Sequence, residues 1–499
     1  IRLVAAFNHQ HIFIDPDPDP KTSWIERKRL FSATRSSWID YDKSLISRGG
    51  GVFERSVKSI KLTPQMRALL SLSSKESISP NDLVKAILTC TADLLWFGGI
   101  GTYVKGSDET DMVVGDRAND PVRVCAKDLR SKVIGEGANL GCTQLGRIEY
   151  SKTGGRINSD FIDNSAGVAS SDMEVNIKIT LGEVVEDGRL SIKDRNKLLT
   201  VMTKDVANRV LLDNYRQSMA LTNGAATAAQ SLEEAARFMR KLERNGELDR
   251  NVEFLPDDEE IEERKVCKAG LTRPEIAVLL AYAKMTLYDD LLKSNVPDDP
   301  WLVNDIGLYF PPILSQKYKK YVEGHRLRRE ISATYITNSL VNRTGPTFIN
   351  ELIDATGASA ATIARAYVIC RRVFYLSEYW AKIEALDNAI SASVQVELHL
   401  EILSLIQRAT RWFIQKTNQE LDVSDTVKKF APGISELRSS IRKILSPDLA
   451  AAAKSFSEGY EAKGVPVNLA RGISELKALF ASCDIVLLAD ETGKSVHNT

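Results

Sequence analysis

Residues 132–174 constrain the fold more than any other part of the chain. This stretch opens K-V-I-G-E-G-A-N-L, crosses a glycine-containing connection and closes F-I-D-N-S-A-G-V-A-S-S-D-M-E. Lys132, Val133 and Ile134 read as the end of a buried strand, with Gly135, Gly137 and Asn139 just beyond it. In an open α/β sheet, ligands bind in the crevice outside the carboxyl ends of the strands. Glycine there lets the backbone come close to a ligand, and an Asn amide offers one acceptor and two donors. After Asn164 the chain crosses Ala166, Gly167 and Val168 and is predicted to enter a helix at Ser170, Ser171 or Asp172. A hydroxyl at a helix N-terminus, beside free N–H groups and the positive end of the dipole, suits a carboxylate. An amide-recognising pocket beside an anion pocket is one use for these residues; a plain Gly-rich turn and N-cap is another. Met173, Ile177, Leu181 and Val184 are spaced for a helix, although V-N-I-K-I-T-L also alternates as a strand would.

At 499 residues the chain exceeds one ordinary domain, so two or three are expected. A hydrophobic fraction of 43% with 26% charged residues is that of a soluble globular protein. Lys plus Arg and Asp plus Glu each number 66, so composition points to neither a nucleic acid nor a membrane surface as partner. Six cysteines without a C-x-x-C pair favour reduced thiols in a cytoplasmic protein over a disulfide framework. The longest apolar run, 276–283, is far shorter than the roughly 18 residues of a membrane span. No signal peptide is read, because the first residues already resemble a strand.

Along the chain, 3–7 is an apolar run bounded by polar residues, like a buried parallel strand. His9 and His11 would share a face, but no further ligands lie nearby, and they are read as structural; no metal site is expected. Asp and Pro alternate over 15–20, predicting a turn or extended loop. Gly49, Gly50 and Gly51 precede Val52 and Phe53, which favours a hairpin or loop over a phosphate cradle. Ser79, Pro80 and Asp82 start a helix that would bury Leu83, Ile87 and Cys90. A second strand, 92–97, runs into Gly98, Gly99 and Gly101, and the polar segment 107–121 is read as a surface excursion. From about Ile177 helical periodicity dominates. An amphipathic helix is predicted at 231–248, and the acidic run 257–263 reads as a linker or exposed helix start. Thr272 and Glu275 form a capping box, with Pro274 in the first turn, opening a helix through Lys284. Further helices are expected near 313–343, 358–386, 390–418, 434–454 and 468–489, with Arg326, Arg328 and Arg329 in interhelical pairing. The expected class is α/β. A partial doubly wound (Rossmann-like) domain, 1–176, precedes a large all-α C-terminal domain, 177–499, with a further boundary near 250–268.

G-E-G-A-N followed by N-S-A-G-V-A-S-S-D-M-E closely resembles the signature of the glutamate dehydrogenases. L-L-D-N-Y-R-Q (211–217) and L-T-R-P-E-I-A-V-L-L-A-Y-A-K (271–284) narrow the resemblance to the large NAD-specific enzymes of bacteria. One departure is Ser165 and Ala166, where shorter family members carry Ala and Gly. The resemblance implies NAD-dependent oxidative deamination of L-glutamate to 2-oxoglutarate and ammonia, by a homo-oligomer (tetramer or hexamer). It implies that Asn8 sits near the adenosine ribose and that Gly98, Gly99 and Thr102 lie beside the nicotinamide ribose. Gly137, Asn139 and Asn164 would surround the nicotinamide, Ser171 would bind the distal carboxylate of glutamate, and Val168 would pack on its methylenes. The catalytic Lys and Asp of the family are expected upstream of Ile1, making this a C-terminal portion inactive on its own, so no catalytic residue is assigned. Two alternatives stand beside this reading: a dehydrogenase of an apolar amino acid, and a non-catalytic helical assembly or regulatory module.

Overall fold

In the computed structural model, which describes residues 1–416, 421–496 and 498, the chain divides into two units. One comprises Ile1–Ser165 with Thr272–Glu275, the other Ala166–Leu271 with Ile276–Thr499.

The first unit opens with three antiparallel strands in sequence order: β1 (Ala5–Phe7), β2 (His11–Ile14) and β3 (Gly51–Glu54). Phe7 pairs with Ile12, and Ile12 with Phe53. The parallel strand expected at 3–7 is therefore one arm of a hairpin. Only residues 8–10 separate the arms, whereas a parallel connection needs a dozen residues or more. All four residues of β2 are buried, and alternation divides them between two clusters. Ile12 and Ile14 join the main core, while Phe13 stacks on Trp38 at 4.8 Å beside Leu30 and Tyr41. The 15–20 loop is held by Asp15, which accepts the Ser47 N–H at 3.1 Å. Asp19 caps the helix Pro20–Ser32 through the Thr22 N–H at 2.7 Å. The Gly49–Gly51 turn leads straight into β3, and a Cβ on Gly50 would stand 2.5 Å from the Ile14 carbonyl oxygen.

Strands β4 (Ile60–Lys61) and β5 (Ser77–Ile78) form a short antiparallel pair ahead of the helix Pro80–Leu88. That helix begins as expected: Ser79 Oγ accepts from the Asp82 N–H at 3.2 Å, and Leu83 and Ile87 are buried. Beyond it come β6 (Ala92–Phe97), β7 (Val104–Lys105), β8 (Val124–Cys125) and β9 (Ser131–Glu136). Strands β6 and β9 run parallel, Leu94 opposite Val133 and Phe97 opposite Glu136; β7 and β8 are also parallel. After the helix Gln144–Lys152 the chain returns to the far side of β9. There Ile134 N–H donates to Arg156 O at 2.9 Å, and Arg156 N–H to Lys132 O at 3.1 Å. The 107–121 segment carries the short helix Asp111–Val114 and a 3-10 segment, Arg117–Val122. It is pinned by the buried Arg123, which donates to Asp111, Asp120 and the Asp116 carbonyl.

The second unit is helical. The expected strand alternative at 175–181 is resolved as helix Ser165–Glu186, whose buried face carries Met173, Ile177, Leu181 and Val184. Ile177, Leu181 and Val184 pack in a cluster with Met202, Ile306, Phe310 and Ile331. Helices Ile192–Ala226, Leu232–Arg244 and Asp258–Val266 follow, the last capped by Asp257. The helix opening at the Thr272 capping box runs to Leu292, past the expected end at Lys284. The run 313–343 is three helices, Pro312–Lys317, Lys319–Glu323 and Arg328–Thr344. Arg328 and Arg329 both pair with Asp298, the interhelical role expected of them. The run 358–386 breaks at Tyr375, whose φ of 56° ends one helix and begins the next. Helix Ala392–Lys416 fills the 390–418 segment, with 417–418 outside the described residues. Ser446 and Pro447 divide 434–454 between Val423–Ile444 and Pro447–Ala462, because proline fits a first turn and interrupts an interior. The final pair is Val467–Leu479 and Ser482–Thr492. No helix among the described residues is long and apolar enough to cross a membrane.

Candidate functional site

Strands β6 and β9 end side by side at Phe97 and Glu136, and the Ala138 N–H donates to Phe97 O at 3.0 Å. The turn beyond β9 is held from below by carboxylates. Glu136 is 0% exposed; its Oε1 accepts from Cys142 N–H at 3.0 Å and Arg147 Nη2 at 2.9 Å, its Oε2 from Arg147 Nε at 2.7 Å. Asp163 Oδ2 accepts the Glu136 N–H at 3.0 Å, and Asp160 Oδ2 accepts the Leu140 N–H at 2.9 Å. Burial pushes the Glu136 carboxyl up against the stabilising bonds and charge of Arg147. Burial also opposes the Arg147 charge, yet the Glu136 bonds and charge outweigh it, and the guanidinium is held protonated far above the working range. This glutamate of the G-E-G-A-N motif is thus a buttress, and two-sided bonding from Arg147 offsets part of the burial of its charge.

Above the buttress, Asn164 Nδ2 donates to Asn139 Oδ1 at 2.8 Å, bringing together two of the amides singled out in the sequence. Asn139 Nδ2 and Asn164 Oδ1 remain as a donor and an acceptor at the strand ends. Gly137 and Gly135 lie under the Trp96 ring: an added Cβ would stand 2.3 Å and 2.6 Å from its carbons. Gly98 lies beside the Trp96 indole, whereas the space a Cβ would take on Gly99 is open, with no atom within 4 Å. Packing alone therefore does not demand glycine at position 99. Thr102 is 8% exposed; its N–H donates to Asp116 Oδ2 at 2.8 Å and its carbonyl accepts from Arg123 Nε at 2.9 Å. Asn8 lies in the β1–β2 turn, where its Oδ1 accepts the Gln10 and His11 N–H groups at 2.9 and 2.8 Å. Its expected placement at the end of a parallel strand is corrected with that strand. His11 contacts Ser37 Oγ at 3.1 Å through Nδ1.

Val168 and Ser171 belong to the second unit. The helix expected to start at Ser170–Asp172 starts at Ser165, so Ser171 is in its second turn and does not cap it. Small residues and alanine carry the helix back through the segment read as a crossing; a first-turn glycine costs little there. Val168 is 77% exposed, and Ser171 is exposed on the same helix.

Two further polar clusters in this unit escaped the sequence reading. Tyr309 donates to Asp172 Oδ2 at 2.6 Å and accepts from Asn176 Nδ2 at 2.9 Å; burial first, and Asp172 second, push the phenol upward. Lys284 Nζ donates to Gln217 Oε1 at 2.9 Å, and burial lowers its pKa to about 7 against the opposing charge of Asp213. Burial raises Asp213 in turn, against Arg209, Arg216 and Lys284. The only sequence signal was indirect: Asp213 and Gln217 come from L-L-D-N-Y-R-Q, and Lys284 closes L-T-R-P-E-I-A-V-L-L-A-Y-A-K.

Residues 1–224 match the model of the catalytic domain of bacterial NAD-glutamate dehydrogenase, and 268–499 match that of the glutamate dehydrogenase C-terminal region. The chain belongs to the bacterial NAD-glutamate dehydrogenases. Among members of this family, the NAD-specific glutamate dehydrogenase of Halomonas elongata is 46% identical over 492 residues, 99% of this chain and 30% of the relative. That of Pseudomonas aeruginosa is 47% identical over 494 residues, again 99% and 30%. The Mycobacterium tuberculosis protein of the same name is 40% identical over 491 residues, 97% and 30%. The chain thus spans about 30% of the length of the relatives it matches.

Proposed function

We propose that this chain supplies the cofactor side, and the distal substrate contacts, of an enzyme that oxidatively deaminates L-glutamate to 2-oxoglutarate and ammonia with NAD. The observation that carries the reading is the amide pair of Asn139, in the turn after β9, and Asn164, at the C-terminal end of the short helix Asp160–Asp163. A nicotinamide carboxamide needs one acceptor and one donor, which Asn164 Oδ1 and Asn139 Nδ2 offer; the open space at Gly99 lets a ribose approach the backbone, while Gly137 is covered by the Trp96 ring and supports the turn that carries Asn139. Gly98 and Thr102 complete the ribose side. Asn8 is left out of the proposed site, because its oxygen is spent on the hairpin turn. The parallel β6–β9 pair and its helical return are taken as part of a Rossmann-like domain, whose strand ends form the binding crevice.

NAD held at Asn139 and Asn164 would supply the hydride acceptor for oxidation at the amino acid Cα. The protein's part here is binding and orientation. Asn139 and Asn164 hold the carboxamide so that one ring face meets the substrate. Val168 covers the substrate methylenes and excludes water, and Ser171 Oγ donates to the distal carboxylate. The complete enzyme is proposed to be a cytoplasmic homo-oligomer.

A hydrogen bond to a charged group is worth about 1.5–3 kcal/mol. Ser171→Ala in the complete enzyme should therefore lower kcat/KM for glutamate by roughly 10- to 150-fold. NADH affinity, read by fluorescence titration, should stay within a factor of two. Equal losses of glutamate and NADH affinity would remove Ser171 from the substrate site.

A further inference from the structure

Within the helical unit lies a cavity of about 120 Å³, between the C-terminal end of helix Ile192–Ala226, the start of the long helix at Ile276, and the turn after Thr344. Its apolar wall includes Leu279, Leu400 and Leu403. Two of its polar side chains present unpaired acceptors. Asn223 and Asn342 both line it, and the Oδ1 of each is buried with no hydrogen-bond partner among the described residues; Asn342 is 5% exposed. Leaving a buried carbonyl unpaired costs about 1–3 kcal/mol, so two around one space mark a place where donors belong.

The charges agree. Glu351 lines the cavity and accepts from Thr347 Oγ1 at 2.5 Å. Burial pushes its carboxyl upward against the Thr347 bond, the Glu234 charge adds to that and the Arg237 charge opposes it; Glu234 Oε2 is itself buried without a partner among the described residues. The one cation on the wall, Arg343, is committed elsewhere: it pairs with Glu384 and stacks on the Trp380 ring at 4.5 Å. The cavity therefore combines two orphaned acceptors and a buried carboxylate with an aliphatic wall.

We propose that this cavity binds a primary alkylammonium group, with the ammonium hydrogens on Asn223 Oδ1, Asn342 Oδ1 and the Glu351 carboxylate and the alkyl chain on Leu279, Leu400 and Leu403. An apolar cavity of ~150 Å³ accepts benzene, so 120 Å³ suits a ligand of about five heavy atoms. The three acceptors match the three donors of an ammonium group.

The test titrates the full chain with n-butylammonium chloride, and with 1-butanol as its neutral counterpart, by calorimetry. The ammonium should bind once per chain, at least tenfold tighter than the alcohol. Asn342→Leu and, separately, Glu351→Gln should each weaken it tenfold or more, and Leu403→Trp should abolish binding by filling the space. If Asn342→Leu fails to fold, Glu351→Gln with an unchanged melting temperature carries the result. Equal affinity for the alcohol, no binding of either probe, or unchanged affinity in the folded variants would each overturn the proposal.

Discussion

Replacing Arg147 with Met should unfasten the turn that carries Asn139. Met keeps most of the aliphatic volume, so the change removes charge and hydrogen bonds with little cavity. Glu136, with a side chain 0% exposed, would lose both bonds from Arg147 and keep only the Cys142 N–H. Breaking a buried ion pair by removing one partner costs about 3–5 kcal/mol, because the other charge is stranded. With a urea slope of about 2 kcal/mol per molar, the unfolding midpoint of the first unit should fall by roughly 1.5–2.5 M. Hydrogen exchange in peptides spanning β6 and β9, followed against urea, reads this unit separately from the helical one. The double variant Glu136→Leu/Arg147→Met should recover part of the loss, since a buried pair replaced by apolar groups is often neutral, while the Cys142 N–H and the Asp160 carboxylate each still lose a partner. A loss below about 1 kcal/mol in the single variant, or a double variant no better than the single, would refute the stranded-charge reasoning.

Gly137→Ala would place a methyl 2.3 Å from the Trp96 ring, so the indole must swing away. A cost of about 1–3 kcal/mol is expected, read as a lower urea midpoint; an unchanged midpoint would contradict the contact. Lys284 bears on pH dependence. Its folded pKa of about 7 lies below the ordinary 10.5, so the unfolded chain binds more protons between those values and stability rises with pH across that window. At ~1.4 kcal/mol per pKa unit, the rise approaches about 5 kcal/mol at most. Lys284→Met should flatten the pH 7–10 stability profile, and an unaltered profile would show that the lysine is solvated. Ser79→Ala should cost about 1 kcal/mol as a lost N-cap, measured by the same urea titration.

Much of the local structure was legible in the residues. Ser79-Pro80 and Thr272 with Glu275 mark helix starts because side-chain oxygens there satisfy unpaired N–H groups, a bond made within four residues. The apolar run of Ala92–Phe97 ending in glycines, and the helical spacing of Met173 through Val184, likewise show their elements locally. Helix ends were harder to place: Ser165 starts its helix five residues before the expected cap, since Ala-Gly-Val tolerates both turn and helix. The breaks at Tyr375 and Ser446 similarly fall inside continuous helical periodicity.

By itself the sequence determined family membership and the change from strand to helix periodicity along the chain, and it singled out Asn139, Asn164, Val168 and Ser171 as candidates for the proposed site. These depend on residue types at short spacings. Tertiary structure alone decided what the neighbours of those residues are. It made 3–7 a hairpin arm and set Asn164 on Asn139. It put Arg147 under Glu136, Lys284 beside Gln217, and two orphaned amides around one cavity. Each of these pairings is set by how whole elements pack, and the sequence distance between partners does not encode it.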